Sequence, residues 1–182
     1  MTEPPRDQPQ LLTRRLCLRP YALSDAPDMV RLANDPEVAR HTLIPYPYTL
    51  EMAETWIGTH GPRLKQGARV TYAITRLADT RLMGTVALGI DALHDRADLH
   101  YWLGKAFWGQ GYATEAAERV IRYGFERFRL HRIQASHSTQ NPASGRVLQK
   151  LGMRYEGRMR QALKRWDAYQ DLELYALLAD DA

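Results

Sequence analysis

Cysteine is almost missing from this chain. A single Cys17 in 182 residues excludes an internal disulfide and any metal centre built on several thiolates. In an alternating segment, that thiol is expected to be a small buried hydrophobe. No run approaches the ~20 apolar residues of a membrane-spanning helix, and the N-terminus has no apolar signal core, so a cytoplasmic location without membrane contact is expected. Excess charge is scarce too: 25 Lys and Arg against 21 Asp and Glu leave a formal charge of +4. That is too little and too dispersed for sequence-specific nucleic-acid binding, though it suits an anionic ligand. His41, His60, His94 and His131 have no cysteine or carboxylate at a ligand spacing, so no metal is expected. What is present, 45% apolar and 25% charged residues, is ordinary for one globular domain of this length.

Residues 1–11 are polar and proline-bearing and read as a loose tail, leaving 12–182 as the domain. Leu12 to Leu18 predicts a short strand, and Ser24 or Asp25 caps a helix with Pro27 in its first turn. Asn34-Asp35-Pro36 ends it. The stretch from His41 to Tyr48 is a loop pinned by Pro45 and Pro47. Its Tyr46 and Tyr48 are either a substrate wall or ordinary packing. Thr49 caps a second helix, ending at Gly61-Pro62. Three alternating strands follow, through Val70–Ile74, Val86–Ile90 and Leu99–Leu103, joined too tightly for anything but an antiparallel meander.

The chain then reaches its longest periodic stretch. Ala113, Ala116, Ala117, Val120, Ile121, Gly124, Phe125 and Phe128 recur at spacings of three and four, one face of a long helix. Phe107-Trp108-Gly109-Gln110-Gly111-Tyr112-Ala113-Thr114 leads into it from the third strand. A glycine turn between strand and helix offers unpaired N–H groups to an anion, or is simply a helix start. It has neither the third glycine of a dinucleotide fingerprint nor the lysine of a P-loop. Arg132 to His137 predicts a strand parallel to the preceding one, because a whole helix joins them. Asn141-Pro142 opens a short helix and Gly152 stops it. Two closing strands, 154–163 and 169–178, complete the chain. The basic residues Arg154, Arg158, Arg160, Lys164 and Arg165 make a solvated face or a site for an acidic partner or an RNA-rich particle.

Taken together, two of these stretches resemble the GCN5-related N-acetyltransferases, in particular the group that acetylates ribosomal-protein N-termini. Trp108 to Ala117 is similar to that group's pyrophosphate turn, and Asn141 to Met153 to its second cofactor motif. Thr13 to Pro20, Asn34 to Val38 and Asp171 to Tyr175 extend the resemblance over about 12–178. It implies a single α/β domain with a mixed, mostly antiparallel sheet of six or seven strands flanked by helices. A central parallel pair splays apart to admit acetyl-CoA. Backbone groups of Tyr101, Trp102 and Leu103 would pair with the pantetheine arm. Trp108, Gly109, Gln110, Gly111, Tyr112, Ala113 and Thr114 would surround the pyrophosphate. Relatives carry Gln or Arg where Trp108 stands, a small departure because main-chain donors hold the anion. Asn141 would contact the arm or fix nearby backbone, and Ser144 would approach the sulfur.

The implied reaction is attack of an amine on the thioester in a ternary complex. Relatives place a carboxylate on the splayed strand to receive the amine's proton; the matching residue is Asp98. His100, on the same strand face, is a rival with a better-suited pKa. A tyrosine acid on the helix after the parallel strand is absent between His137 and Gly152, which leaves Ser144 as a hydrogen-bond donor to the thiolate. Tyr46, Tyr48, His137 and Trp166 are candidate acceptor contacts. The expected acceptor is the N-terminal α-amine of a protein, such as a ribosomal protein. The alternatives are a small amine (polyamine or aminoglycoside) or a non-catalytic acyl-CoA-binding protein; the protein would be a monomer or homodimer.

Overall fold

In the computed structural model, residues 7–181 are described, and the tail expected at the N-terminus falls mostly outside them. Eight strands form one sheet: β1 (Leu11–Leu12), β2 (Leu16–Arg19), β3 (Arg69–Arg76), β4 (Leu82–Asp91), β5 (Arg96–Leu103), β6 (Arg132–Ser138), β7 (Arg154–Arg165) and β8 (Ala168–Leu178). Their spatial order is β1-β2-β3-β4-β5-β6-β8-β7. Six neighbouring pairs are antiparallel, and β5 with β6 is the parallel one. The sheet has eight strands rather than six or seven because the N-terminal segment is a hairpin, Leu11 opposite Leu18, and not one strand. Thr13 makes that turn: its Oγ1 receives the Leu16 N–H at 2.9 Å. Cys17 is half-buried on β2, less enclosed than expected.

Two layers of helix cover the sheet. On one face lie α1 (Ala26–Ala33), α2 (Pro36–Arg40), α3 (Leu50–Gly58) and α4 (His60–Lys65); on the other lie α5 (Tyr112–Phe128) and α6 (Pro142–Lys150). The strand periodicity of two divides side chains between these faces. Leu88, Leu99 and Ile133 turn toward α5, where Gly124 admits them: a Cβ there would sit 2.7 Å from Leu88 and 3.1 Å from Ile133. Asp98, His100 and Trp102 point the opposite way, toward the first helical layer. Ala116, Ala117 and Val120 of α5 are fully enclosed, as the helical period requires.

Local capping departs from expectation in three places. Asp25 does not cap α1; its carboxylate takes the Arg19 guanidinium at 2.6 and 2.7 Å and the Ala22 N–H at 2.8 Å. Asp35 does not merely end α1 but caps α2, accepting from the Glu37 N–H at 2.8 Å. Gly61-Pro62 falls inside the first turn of α4, where a proline's missing N–H costs nothing. Thr49 caps α3 through the Met52 N–H, and Asn141 caps α6 through the Ser144 N–H, both as their sequence positions predict.

Candidate active site

The parallel pair is only three residues deep. It runs through Arg96–Arg132, Ala97–Ile133 and Asp98–Gln134, and beyond that β5 and β6 separate. A fastening marks the point of separation. Gln134 Nε2 donates to Asp98 Oδ1 at 2.9 Å, Arg132 Nε donates to Gln134 Oε1 at 3.0 Å, and Arg132 Nη1 donates to Glu156 at 2.7 Å. From there to its end, β5 presents a backbone edge with no strand beside it. The gap opens into a cleft of about 1350 Å³ that runs through the sheet.

At one end of the cleft is the start of α5. Gly109 and Gly111 have φ of +72° and +79°, a left-handed conformation that side-chain-bearing residues avoid. No side chain caps this helix, and its first intrahelical acceptor, the Gly111 carbonyl, serves Glu115. The N–H groups before Glu115 are therefore unspent at the cleft wall, where Gly109, Gly111, Tyr112, Ala113 and Thr114 all stand. The turn is held from outside. Glu115 takes Arg15 Nε at 2.6 Å, the Arg15 N–H at 2.9 Å and Thr13 Oγ1 at 2.7 Å. Arg15 also donates to the Gln110 carbonyl at 3.0 Å and lies over the Tyr112 ring. Gln110 itself turns away from the cleft, its side chain donating to the Ala106 carbonyl at 2.9 Å. Trp108 has a role no pattern signalled: its indole N–H donates to the Leu103 carbonyl at 2.8 Å, fixing the end of β5.

On the same side, β5 meets α6. The Tyr101 hydroxyl lies 2.8 Å from Ser144 Oγ and donates to the Ser144 carbonyl at 3.2 Å. Burial pushes the Tyr101 phenol up to about 12, against the Ser144 hydrogen bond, so it stays protonated at neutrality. A phenol from β5 thus reaches the first turn of α6, where the sequence had given Tyr101 only a backbone role. Asn141 Oδ1 is engaged by its cap. His137, enclosed at the cleft floor, donates from Nδ1 to the Ser138 carbonyl at 2.9 Å, and its Nε2 is 3.3 Å from Glu173.

The far side of the cleft lies under α2, α3 and the loop between them. His100 and Trp102 of β5 reach it, with Thr85 of β4, Arg69 of β3, Trp56 of α3 and Tyr48 of the loop. Burial by the walls, then the Arg69 guanidinium, hold the His100 imidazole below its ordinary range, with Asp98 opposing. Tyr48 is packed, its N–H and carbonyl both bonded to the Asn34 side chain at 2.8 and 2.7 Å. Arg165 ties the β7–β8 turn to this wall, donating to the Ala39 carbonyl at 2.7 Å and the Ile44 carbonyl at 2.9 Å. Three expected contacts do not line the cleft: Asp98 is drawn into the Gln134 fastening, Tyr46 faces outward, and Trp166 is exposed beside Arg165 at the β7–β8 turn. Thr85 and Arg69 were not foreseen, because a threonine and an arginine on alternating strands carry no distinguishing pattern.

Residues 15–154 match the model of the acetyltransferase (GNAT) domain. The "uncharacterized N-acetyltransferase p20" of Bacillus licheniformis is 32% identical over 170 residues, 92% of this chain and 95% of its own length. The ribosomal-protein-serine acetyltransferase of Escherichia coli is 31% identical over 103 residues, 56% of this chain and 58% of its own. Among solved structures, RimL, a ribosomal L7/L12 alpha-N-protein acetyltransferase in complex with coenzyme A, superposes with a TM-score of 0.86. It is 21% identical, covering 96% of this chain and 100% of its own, and shows the fold. With a splayed parallel pair, an uncapped helix start beside it and this family match over most of its length, the chain belongs to the GNAT acetyltransferases.

Proposed function

We propose that this enzyme transfers an acetyl group from acetyl-CoA to a primary amine, with the N-terminal α-amine of a protein, such as a ribosomal protein, as acceptor. The observation that carries this reading is the cleft itself, which joins the unspent N–H groups of α5 to the His100 side of the sheet through the β5–β6 gap. The names of the ribosomal-protein relatives support the acceptor. The residues present fit the donor. The glycine turn has no Cβ to block an approaching pyrophosphate, and the open edge of β5 can take the pantetheine arm as a further strand would. Acetyl-CoA brings the acetyl group as a thioester, whose carbonyl carbon the amine attacks.

An α-amine has an unperturbed pKa of about 8, so weak assistance suffices to free its lone pair. His100 provides it in this reading: its lowered pKa keeps the ring neutral and able to accept a proton at pH 7. Asp98 acts at a distance, through the fastening that sets where β5 and β6 part. Tyr101 and Ser144 donate hydrogen bonds toward the departing thiolate, the phenol being the better proton source of the two. Polyamines and aminoglycosides suit the cleft poorly, because Glu51 is the one carboxylate among its described lining residues.

Release of free CoA thiol, scanned over peptides with free and with blocked N-termini, tests the reading. Turnover that disappears on blocking the α-amine is expected. Turnover on blocked peptides or on small polycations alone would overturn the acceptor.

A further inference from the structure

Arg69 is a cation on the acceptor side of the cleft whose charge can do more than depress the neighbouring His100 imidazole. It opens β3 opposite Gly89 of β4, and Gly89 is in turn opposite Asp98 of β5. With no side chain at Gly89, a hollow lies between Arg69 and His100. An ideal Cβ there would be 3.7 Å from Arg69 Nη1 and 3.7 Å from His100 Nε2. The guanidinium lines the cleft, half-buried, and among the described residues no carboxylate forms an ion pair with it. Among the described residues its one side-chain hydrogen bond is from Nε to Thr71 Oγ1, at 3.3 Å. Two carboxylates on that sheet face are already engaged, Asp91 of β4 by Arg96 and Asp98 of β5 by Gln134. Burial lowers the Arg69 pKa, and Arg63 adds to it. A partly desolvated cation without a counter-charge costs stability, and both terminal nitrogens of its fork are available for an anion.

The rest of the acceptor side matches. Arg40 stands exposed at the rim, Arg165 is committed to main-chain carbonyls, and Trp56 and Trp102 form apolar walls. We propose that Arg69 is a specificity-determining residue that receives a carboxylate carried a few bonds from the reacting amine. This rests on the acetyl-transfer reading of the same cleft. Two sources share the chemistry: the α-carboxylate of a free amino acid, and an acidic side chain next to the N-terminus of a peptide. A guanidinium fork accepts either bidentately.

The experiment uses two acid–amide pairs. One is a C-terminally amidated hexapeptide beginning Ser-Asp and its Ser-Asn counterpart; the other is free serine and serine amide. Binding is measured by calorimetry with CoA present, and acetylation by thiol release, for the native enzyme, Arg69→Gln and Arg69→Lys. The native protein should favour the acid member of one pair by at least ~10-fold, the scale of a charge-assisted hydrogen bond. Which pair shows the preference identifies the source. Rates are compared on the upper plateau of each variant's pH profile, because losing the guanidinium also lets the His100 pKa rise. There Arg69→Gln should erase that preference through KM while the amide member's KM changes little, and Arg69→Lys should restore part of the preference. Equal use of acid and amide by the native protein, or equal loss of both in Arg69→Gln, overturns the assignment. Binding separates the two levels: an acid preference without turnover sinks the acetyl-transfer reading and keeps the anchor.

Discussion

The Tyr101 hydroxyl lies 2.8 Å from Ser144 Oγ, so the splayed strand and the first turn of α6 share a hydrogen bond inside the cofactor side of the cleft. If the pair serves the departing thiolate, its two members are unequal. Tyr101→Phe removes a protonated donor and should lower kcat by ~10²-fold or more, the lower range for lost acid catalysis or a lost transition-state donor. Ser144→Ala should cost less, since the phenol remains. Steady-state rates, with acetyl-CoA affinity measured separately, check both; equal affinities are expected.

The two candidate bases on β5 separate in the same way. His100→Gln should reduce kcat/KM by at least ~10²-fold and abolish the acid limb of the pH–rate profile. In the native enzyme that limb should lie below the ordinary imidazole range, because burial and then Arg69 depress the pKa of His100. Asp98→Asn keeps a group able to accept from Gln134 and should change the rate far less. A large rate loss in Asp98→Asn with His100→Gln unaffected would reverse the assignment.

Gly111 holds φ at +79°, and an added Cβ would stand 3.4 Å from Arg15 Nη2. Gly111→Ala should therefore strain the turn by roughly 1–2 kcal/mol through its left-handed backbone, the new methyl only meeting the arginine that braces it. Acetyl-CoA affinity should fall by ~10-fold, read by calorimetry, ahead of any comparable loss in kcat.

Gly145 touches the His137 ring, where a Cβ would come within 2.7 Å of Nε2 and 2.9 Å of Cε1. That ring is buried beside α6 and Tyr175. Gly145→Ala should destabilise the fold by about 1–3 kcal/mol through overpacking, which thermal unfolding would show as a drop of several degrees.

His60 sits edge-on to Trp56 and Tyr21, with neither ring nitrogen bonded. Burial, helped by Arg69 and Arg63, lowers its pKa to about 4. The unfolded chain then binds a proton that the folded chain refuses between about pH 6.5 and 4. Stability from this group is complete above that window and is lost as the pH falls through it. His60→Phe should flatten the dependence of Tm on pH there.

Most of the strands and both cofactor-side helices could be read in the sequence, because each carries its period or its cap in adjacent residues. Asn141-Pro142 and the two glycines before Tyr112 are local signals, and they mark those helices correctly. The β1–β2 hairpin was hidden because its turn is Thr13-Arg14-Arg15, without glycine or proline, and is stabilised by Glu115 a hundred residues away. Asp98 is a candidate base through the resemblance, with His100 on the same strand face as its rival. Neither the resemblance nor strand alternation signals Gln134, which is brought alongside only by the parallel pairing. The Tyr101 side-chain contact was hidden for the converse reason: its phenol meets Ser144, which is far along the chain but adjacent in space.

The short parallel pair has a consequence for the sheet as a material. A sheet ordinarily has two edges; this one has four, because past Asp98 and Gln134 the strands β5 and β6 each run on with a bare flank facing the other. Exposed flanks are where foreign strands attach, and proteins usually shield them at the periphery. Here the inner pair is shielded by depth: the gap lies between two helical layers, and a flexible extended ligand fits it better than a folded chain does. The donor's arm would then act as a removable ninth strand. Its departure would reopen a seam through the middle of the protein, and binding and release would appear as the closing and tearing of one sheet.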